Sequence, residues 1–337
     1  MNRQQLRVGL IGLGAMGRNH ARVLHGLDGV ELVGVVDPVA DKRAVPADVP
    51  LVDTIEQLVE LELDYAVVAC PTAEHETVGL ALAEAGVSAL IEKPLAHTSG
   101  AARRLAEAFA SRGLVAGVGH IERFNPAITN LRSRLEAGEL GEILQVVTRR
   151  QGPFPHRIAD VGVVKDLATH DIDLTCWVTG QSYRSITART VSRSGRIHED
   201  LLSAVGSLTG GAIANHSVNW LSPFKERTAV VTGDRGCFIA DTLTADLTFY
   251  ANGVENTEWE ALRAFRGVSE GDMIRYAIRK REPLQVEHEQ FRDAMLGLDS
   301  DIVDLAQGRA TVEISEMMLR SAERGETVEL DGAGALS

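Results

Sequence analysis

Between Arg7 and Ile11 the chain is apolar (RVGLI). It then reads Gly12-Leu13-Gly14-Ala15-Met16-Gly17 and passes into a helical pattern from about Ala15 to Leu27. A G-x-G-x-x-G loop between a strand and a helix admits few folds. The first glycine permits a tight turn, the second leaves room for a pyrophosphate against the backbone, and the third lets helix and strand pack closely. The helix N-terminus adds unpaired N–H groups and a partial positive charge. Gly12, Gly14, Ala15, Met16 and Gly17 are therefore candidates for holding a dinucleotide. Asp37 stands twenty residues past Gly17 (37 − 17 = 20), where a second apolar run, Val30–Val36, closes. A carboxylate there accepts both ribose hydroxyls of NAD and repels a 2′-phosphate, so the reading favours NAD over NADP, with Lys42 and Arg43 nearby as the opposing signal.

Further apolar runs end at Ala69, Ile91 and Val118, with helical patterns between them, including one capped by Thr72 and running through Ala85 and another over 98–112. Such alternation predicts an α/β fold with a doubly wound parallel sheet. After residue 120 the pattern changes. Segments rich in Thr, Val and Ser follow one another with few helices: 143–149, 185–191, 201–208, 212–220, 228–232, 237–240 and 247–250. Several alternate with period 2, which predicts a C-terminal α+β domain built on a large, mostly antiparallel sheet. Helical patterns return at 287–298 and 311–324. The 337 residues thus divide into a dinucleotide-binding domain over 1–120, a substrate-binding and oligomerisation domain over 121–330 and a flexible tail over 331–337. The net charge of −13 argues against nucleic acid or an anionic membrane as partner. The N-terminal apolar run is too short for a membrane span, and Cys70, Cys176 and Cys237 form no CxxC pair. A cytoplasmic protein without structural disulfides is expected.

Two segments carry chemistry. Glu92-Lys93-Pro94 closes the fourth apolar run, and strand C-termini in open parallel sheets face the ligand crevice. Glu92 and Lys93 are thereby cofactor-site candidates. The second segment is Val163–Leu174, VVKDLATHDIDL. As an α-helix it sets Asp166 and His170 one turn apart, with Asp173 on the same stripe. Oxidising a secondary alcohol needs a hydride acceptor and a base near the working pH, which histidine supplies and a carboxylate and an ammonium tune. Lys93, Asp166 and His170 are the catalytic candidates. Asp166, His170, Asp173 and His216 also form a competing set of N/O metal ligands. No HExxH is present, and the dinucleotide signature already supplies an oxidant, so no metal is expected. His25, His97, His156, His198 and His288 show no useful spacing.

Cations gather in three places in this acidic chain. Arg123 and Asn125 lie at the boundary between the halves, where Asn125-Pro126 also reads as a helix cap. Arg150 and Arg157 precede the Asp166 segment, and Lys225 and Arg227 follow Trp220 and Phe224. Arg and Lys suit phosphate or carboxylate recognition, and the rings suit stacking on a sugar or base. All six polar residues are candidates for contacting substrate; a solvated turn is the competing reading.

The order GLGAMG, Asp37, Cys70-Pro71-Thr72 with His75, Glu92-Lys93-Pro94 and Asp166-xxx-His170 resembles the Gfo/Idh/MocA oxidoreductases over essentially the whole chain. The resemblance implies an N-terminal Rossmann domain, a C-terminal sheet domain pairing copies into homodimers or homotetramers, and Pro71, Thr72 and His75 near the cofactor. It also implies that His170 accepts the proton while Lys93 and Asp166 position and tune it. GHIERFNPA, DVGVVKDLATHDID and NWLSPFKER are similar to the branch acting on UDP-linked N-acetylated amino sugars, where the C3 hydroxyl is oxidised. Inositol or polyol oxidation, and NAD-dependent glycoside cleavage on the same fold, are the alternatives. Asp160-Val161-Gly162 departs from the Gly-Gly-Gly run of many members.

Overall fold

A computed structural model of the protein describes residues 5–39, 45–155, 161–253 and 269–330. The chain forms two compact units, one of residues 1–121 and 282–316, the other of residues 122–281 and 317–337. Residues 282–316, read from sequence with the second half, are thus grouped with the first.

The first unit contains β1 (Leu6–Ile11), α1 (Ala15–His25), β2 (Val30–Val36), β3 (Leu51–Val52), α2 (Ile55–Val59), β4 (Tyr65–Val68), α3 (His75–Glu84), β5 (Ser88–Glu92), α4 (Ser99–Ala110) and β6 (Ala116–Gly119). The sheet order is β3-β2-β1-β4-β5-β6, and every pairing is parallel. β4 and β5 are buried along their whole length, as central strands covered on both faces must be. Their side chains alternate between two cores. Ala66, Val68, Ala89 and Ile91 join Leu82, Leu105 and Phe109. Tyr65, Val67 and Leu90 join Leu24 and Phe291. Two short elements, β3 and α2, fall outside the sequence expectations. Two residues are too few to show a period, and α2 is announced only by its cap, where Thr54 accepts from Gln57 N at 3.3 Å.

The strand order reverses between β1 and β4, and ligands bind at such switch points in open α/β sheets. The loop after β1 is therefore placed by topology at a binding crevice.

The second unit begins with α5 (Pro126–Glu136), β7 (Ile143–Pro153), α6 (Thr169–Thr179), β8 (Tyr183–Val191), β9 (Leu201–Leu208) and β10 (Ile213–Asn219). β11 (Leu221–Gly233), β12 (Gly236–Asp241), β13 (Asp246–Gly253), β14 (Ser269–Arg275) and β15 (Val328–Glu329) complete it. Its nine-stranded sheet runs β14-β13-β12-β11-β7-β10-β9-β8-β15. β10 and β7 pair in parallel, and the other pairs are antiparallel. One face packs on α5 and α6 through Ile128, Leu131, Leu174 and Val178 against Val146, Val231 and Phe238. Strict alternation marks β9, where every second residue is buried. The chain also carries α7 (Pro283–Met295) and α8 (Leu305–Arg324). No helix among the described residues is long and apolar enough to cross a membrane.

Candidate active site

The Gly-rich loop has the geometry that its sequence demands. Gly12 adopts φ +96°, and a Cβ there would lie 2.6 Å from Ala69 O and Cys70 N at the end of β4. A Cβ on Gly17 would stand 1.9 Å from Gly12 O, so α1 packs on the loop with no space for a side chain. Gly14 differs. It caps α1 at φ −61°, ψ −164°, and nothing lies within 4 Å of where its Cβ would be. Neither conformation nor packing requires glycine there. The open space in front of the α1 N-terminus is the cradle that a pyrophosphate needs. Gly14 and Ala15 are exposed and Met16 is partly so.

Asp37 closes one side of this cradle. Its Oδ2 accepts from Leu13 N at 2.6 Å, and its Oδ1 accepts from Val39 N at 2.9 Å. The carboxylate is thus fixed against the loop, and each oxygen keeps a further lone pair for a ribose hydroxyl. These residues fit a bound dinucleotide. Lys42 and Arg43 lie outside the described residues.

Pro71 is exposed and Thr72 partly so, at the start of a short 3₁₀ turn, Thr72–Glu74, that precedes α3. His75 departs from its expected role. Its ring is 1% exposed, with Nδ1 3.0 Å from Pro94 O and Nε2 3.1 Å from Cys70 O. Burial pushes its pKa down against the pull of those carbonyls. The neutral ring has one N–H and donates to one carbonyl at a time. His75 is thus packed between the loop after β4 and the Glu-Lys-Pro turn, with 1% of its surface left exposed.

Glu92 is buried at the end of β5, while Lys93 is partly exposed. Glu92 Oε2 accepts from Lys93 N at 3.0 Å, and Oε1 meets His20 Nε2 at 2.9 Å. Burial opposes its charge, but His20 and Lys93 outweigh burial and hold the carboxyl below its usual range. The Glu92 side chain, 7% exposed, supports the backbone of Lys93.

In the second unit, the expected α-helical stripe is interrupted. Val164–Ala168 forms a π-helical turn, and α6 starts only at Thr169. Such single π turns recur at functional sites. Here the start of the turn is anchored to Glu199. Glu199 accepts from Val164 N at 3.0 Å through Oε1, and its own carbonyl accepts from Val163 N at 3.0 Å. Asp166 N donates to Gly162 O at 3.1 Å. A Cβ on Gly162 would meet the Glu199 carboxylate, so a larger residue there would displace that acceptor. Asp166 is 7% exposed and His170 is partly exposed.

Asp173 leaves the stripe. It receives Arg123 through two hydrogen bonds, at 2.8 and 2.6 Å, with both side chains buried. Arg150 donates to Asp171 at 2.8 Å and to Glu122 at 2.8 Å, and it is equally buried. Asn125 caps α5, accepting from Ala127 N at 3.0 Å and donating to Thr242 O at 2.9 Å. Arg123, Asn125 and Arg150 are thus committed to internal partners, contrary to the expectation that they contact substrate. The reason is topological: Arg123 sits on a 3₁₀ turn and Arg150 on β7, both carrying their side chains inward to the acidic side chains of α6. Arg227, on β11, remains available. It lies 3.8 Å from Glu122 and keeps 39% side-chain exposure. Burial and neighbouring Arg150 lower its pKa, while Glu122, Asp171 and Asp166 oppose them. Lys225 is exposed, and Arg157 lies outside the described residues.

His216, the fourth residue of the competing metal set, sits in the core between Thr148 Oγ1 at 2.7 Å and Tyr183 OH at 2.5 Å, and burial pushes its pKa down to about 4. Among the described residues no group of three or more His, Cys, Asp or Glu is arranged to hold a metal ion.

Breaking the Arg123–Asp173 pair leaves an uncompensated buried charge. Arg123→Leu is expected to cost about 3–5 kcal/mol, and Arg123→Leu with Asp173→Leu to recover most of that. Urea unfolding of the two variants checks the difference.

Sequence reasoning misses one cluster. His20 Nδ1 lies 2.8 Å from His288 Nε2, so that Glu92, His20 and His288 form a buried chain, with Glu287 also buried nearby. A signal for it exists. On α1, Gly17, His20, Ala21 and Leu24 share the buried face, and on α7 Leu284, Glu287, His288 and Phe291 do. Both follow the i, i+3, i+4, i+7 spacing of a core stripe, with ionisable residues at positions where apolar ones are the rule.

Comparison with known proteins agrees with this geometry. Residues 6–120 match the oxidoreductase family with an NAD-binding Rossmann fold, and residues 128–239 match the GFO/IDH/MocA C-terminal domain. The UDP-N-acetylglucosamine 3-dehydrogenase of Acidithiobacillus ferrooxidans is 34% identical over 216 residues, 62% of this chain and 66% of that protein. A solved structure of the enzyme of that name from the same organism superposes with a TM-score of 0.83 at 28% identity, covering 95% of this chain and 98% of that one. Inositol 2-dehydrogenase 4 of Saccharopolyspora erythraea is 32% identical over 197 residues, 56% of this chain and 58% of that protein. In both of these curated relatives the matched stretch spans less than two thirds of the relative's length. GenD2 from gentamicin A biosynthesis, solved in complex with NAD, superposes with a TM-score of 0.79 at 27% identity over 98% of this chain and 97% of that one. With both halves matched in order, the chain belongs to the Gfo/Idh/MocA oxidoreductase family.

Proposed function

We propose that the protein is an NAD-dependent dehydrogenase that oxidises a secondary hydroxyl of a sugar, and that the sugar is nucleotide-linked. The open cradle at Gly14, set at the sheet's switch point beside a fixed Asp37, carries the reading. Bound NAD supplies the hydride acceptor. The chain's own groups manage the proton. His170, partly exposed at the start of α6, takes it from the hydroxyl oxygen. Asp166, held in the π turn, orients and tunes the imidazole, and the Lys93 ammonium favours the developing alkoxide. Arg227 and Lys225 serve the anionic part of the substrate.

Two kinds of relative bear on the substrate: one enzyme named for UDP-N-acetylglucosamine and several named for inositol. The solved UDP-N-acetylglucosamine 3-dehydrogenase at 28% identity, against 21% for the solved putative myo-inositol dehydrogenase, and a partly exposed Arg227 on β11 support the nucleotide sugar and its C3 hydroxyl. Assays of UDP-N-acetylglucosamine and myo-inositol side by side with NAD decide it. A higher kcat/KM for the UDP-sugar supports the reading, and a higher one for inositol replaces it with the cyclitol reading.

The cofactor preference follows from Asp37. Asp37→Ala is expected to raise the NADP-to-NAD affinity ratio by about tenfold, or roughly 1.4 kcal/mol. Titration of both cofactors against the two proteins reads it. The same proposal includes a homo-oligomer formed through the sheet face that α5 and α6 do not cover. Register places Val147, Val205, Ile213, Val230, Ile239 and Tyr250 on that face, and Val205, Ile213 and Tyr250 are exposed.

A further inference from the structure

We propose that His20 and His288 are positioning residues for Lys93, acting through Glu92 as a single buried chain. The inference rests on the reading of Lys93 as part of the reacting centre. All four residues belong to the first unit. His288 on α7 meets His20 on α1 (Nε2 to Nδ1, 2.8 Å), His20 meets Glu92 (Nε2 to Oε1, 2.9 Å), and Glu92 takes the backbone N–H of Lys93 (Oε2, 3.0 Å). The two rings pack edge to face at 5.0 Å. His20 and His288 are 0% exposed and Glu92 is 7% exposed.

One proton order consistent with these contacts starts from an ionised Glu92. An ionised Glu92 accepts only, so His20 donates through Nε2. In that order His20 Nδ1 accepts and His288 donates through Nε2. Each link has one donor and one acceptor, and the chain ends on the amide of the residue that presents the ammonium. His20 lies on the helix whose N-terminus is the phosphate cradle. The cradle and the Lys93 turn are therefore linked through a single side chain.

A buried polar chain at apolar positions costs stability unless it is fully satisfied, and an apolar residue in its place is often neutral or stabilising. Packing alone does not explain why His20 and His288 stand on core stripes. Holding the turn does. A displacement near 1 Å at a reacting group lowers turnover by about a hundredfold.

The chain has five lysines, so lysine-selective ¹⁵N labelling of the full-length protein gives few amide signals, and Lys93→Arg assigns the one for Lys93. His20→Ala is expected to move the Lys93 amide upfield and speed its hydrogen exchange. His20→Gln, which keeps an N–H for Glu92, is expected to restore most of both. With NAD and UDP-N-acetylglucosamine or myo-inositol, His20→Ala is expected to lower kcat by about a hundredfold while KM for NAD stays within about threefold. If His20→Ala does not fold, His20→Gln and His288→Leu carry the test, and His288→Leu is expected to give a smaller shift in the same direction. A Lys93 amide that keeps its wild-type position and exchange rate in folded His20 and His288 variants overturns the proposal. Lys93→Met separates the two readings. Full turnover in that variant removes Lys93 from the reaction, whereas the amide signals judge the chain itself whether or not the enzyme turns over.

Discussion

His170→Ala is expected to lower kcat by about 10²–10⁴-fold, the range that a positioned general base contributes. The affinity for NAD is expected to stay nearly constant, because His170 lies in the second unit and the cradle in the first. Asp166→Asn is expected to give a smaller loss, since the amide preserves the packing in the π turn and removes only the charge that favours the imidazolium. Steady-state kinetics together with NAD titration separate these effects. If kcat and NAD affinity fall equally in His170→Ala, the residue is not the base.

The second large effect is a contrast between two glycines of one loop. Gly14→Val meets no atom within 4 Å and a backbone conformation open to any residue. Folding stability is expected to stay within about 0.5 kcal/mol. NAD affinity is expected to fall about ten- to a hundredfold, because the new side chain fills the phosphate cradle and removes roughly 1.5–3 kcal/mol of charge-assisted hydrogen bonding. Gly17→Ala behaves differently. Its Cβ would stand 1.9 Å from Gly12 O, so backbone must shift. A cost of about 1–3 kcal/mol in folding is expected, with loss of binding as a consequence. Thermal melts and NAD titrations of the two variants distinguish a glycine kept for ligand from one kept for packing. Equal melting temperatures would contradict the assignment.

Apart from β3, α2 and residues 282–316, the first unit was legible in the sequence because strand and helix patterns alternate there. Buried parallel strands read as continuous apolar runs, and the glycines mark the turn between β1 and α1. Strand ends follow from these within a residue or two. The Glu-Lys-Pro turn was legible as a strand end, but not its underside, because His20 and His288 are separated by most of the chain. The Asp166 segment was legible as helical and misread in detail. The start of the π turn is bonded to Glu199, a residue distant in sequence, and no local pattern announces it. The arginines show the same limit. Arg123 and Arg150 look like exposed cations by type, but Asp173 and Asp171 on α6 claim them. Charge composition counts the ions without saying which of them pair. Arg227 keeps 39% side-chain exposure with Glu122 at 3.8 Å.

In the proposed reaction His170 takes the hydroxyl proton, and NAD held at the Gly-rich loop would supply the hydride acceptor. The most direct test uses UDP-N-acetylglucosamine deuterated at C3, incubated with the protein and NAD, with the nicotinamide analysed by mass and NMR. Deuterium in the reduced nicotinamide, with a ketosugar as the partner product, is the predicted result. Release of a cleaved sugar with no labelled nicotinamide, or bound NAD left unreduced by this sugar and by deuterated inositol alike, would contradict it.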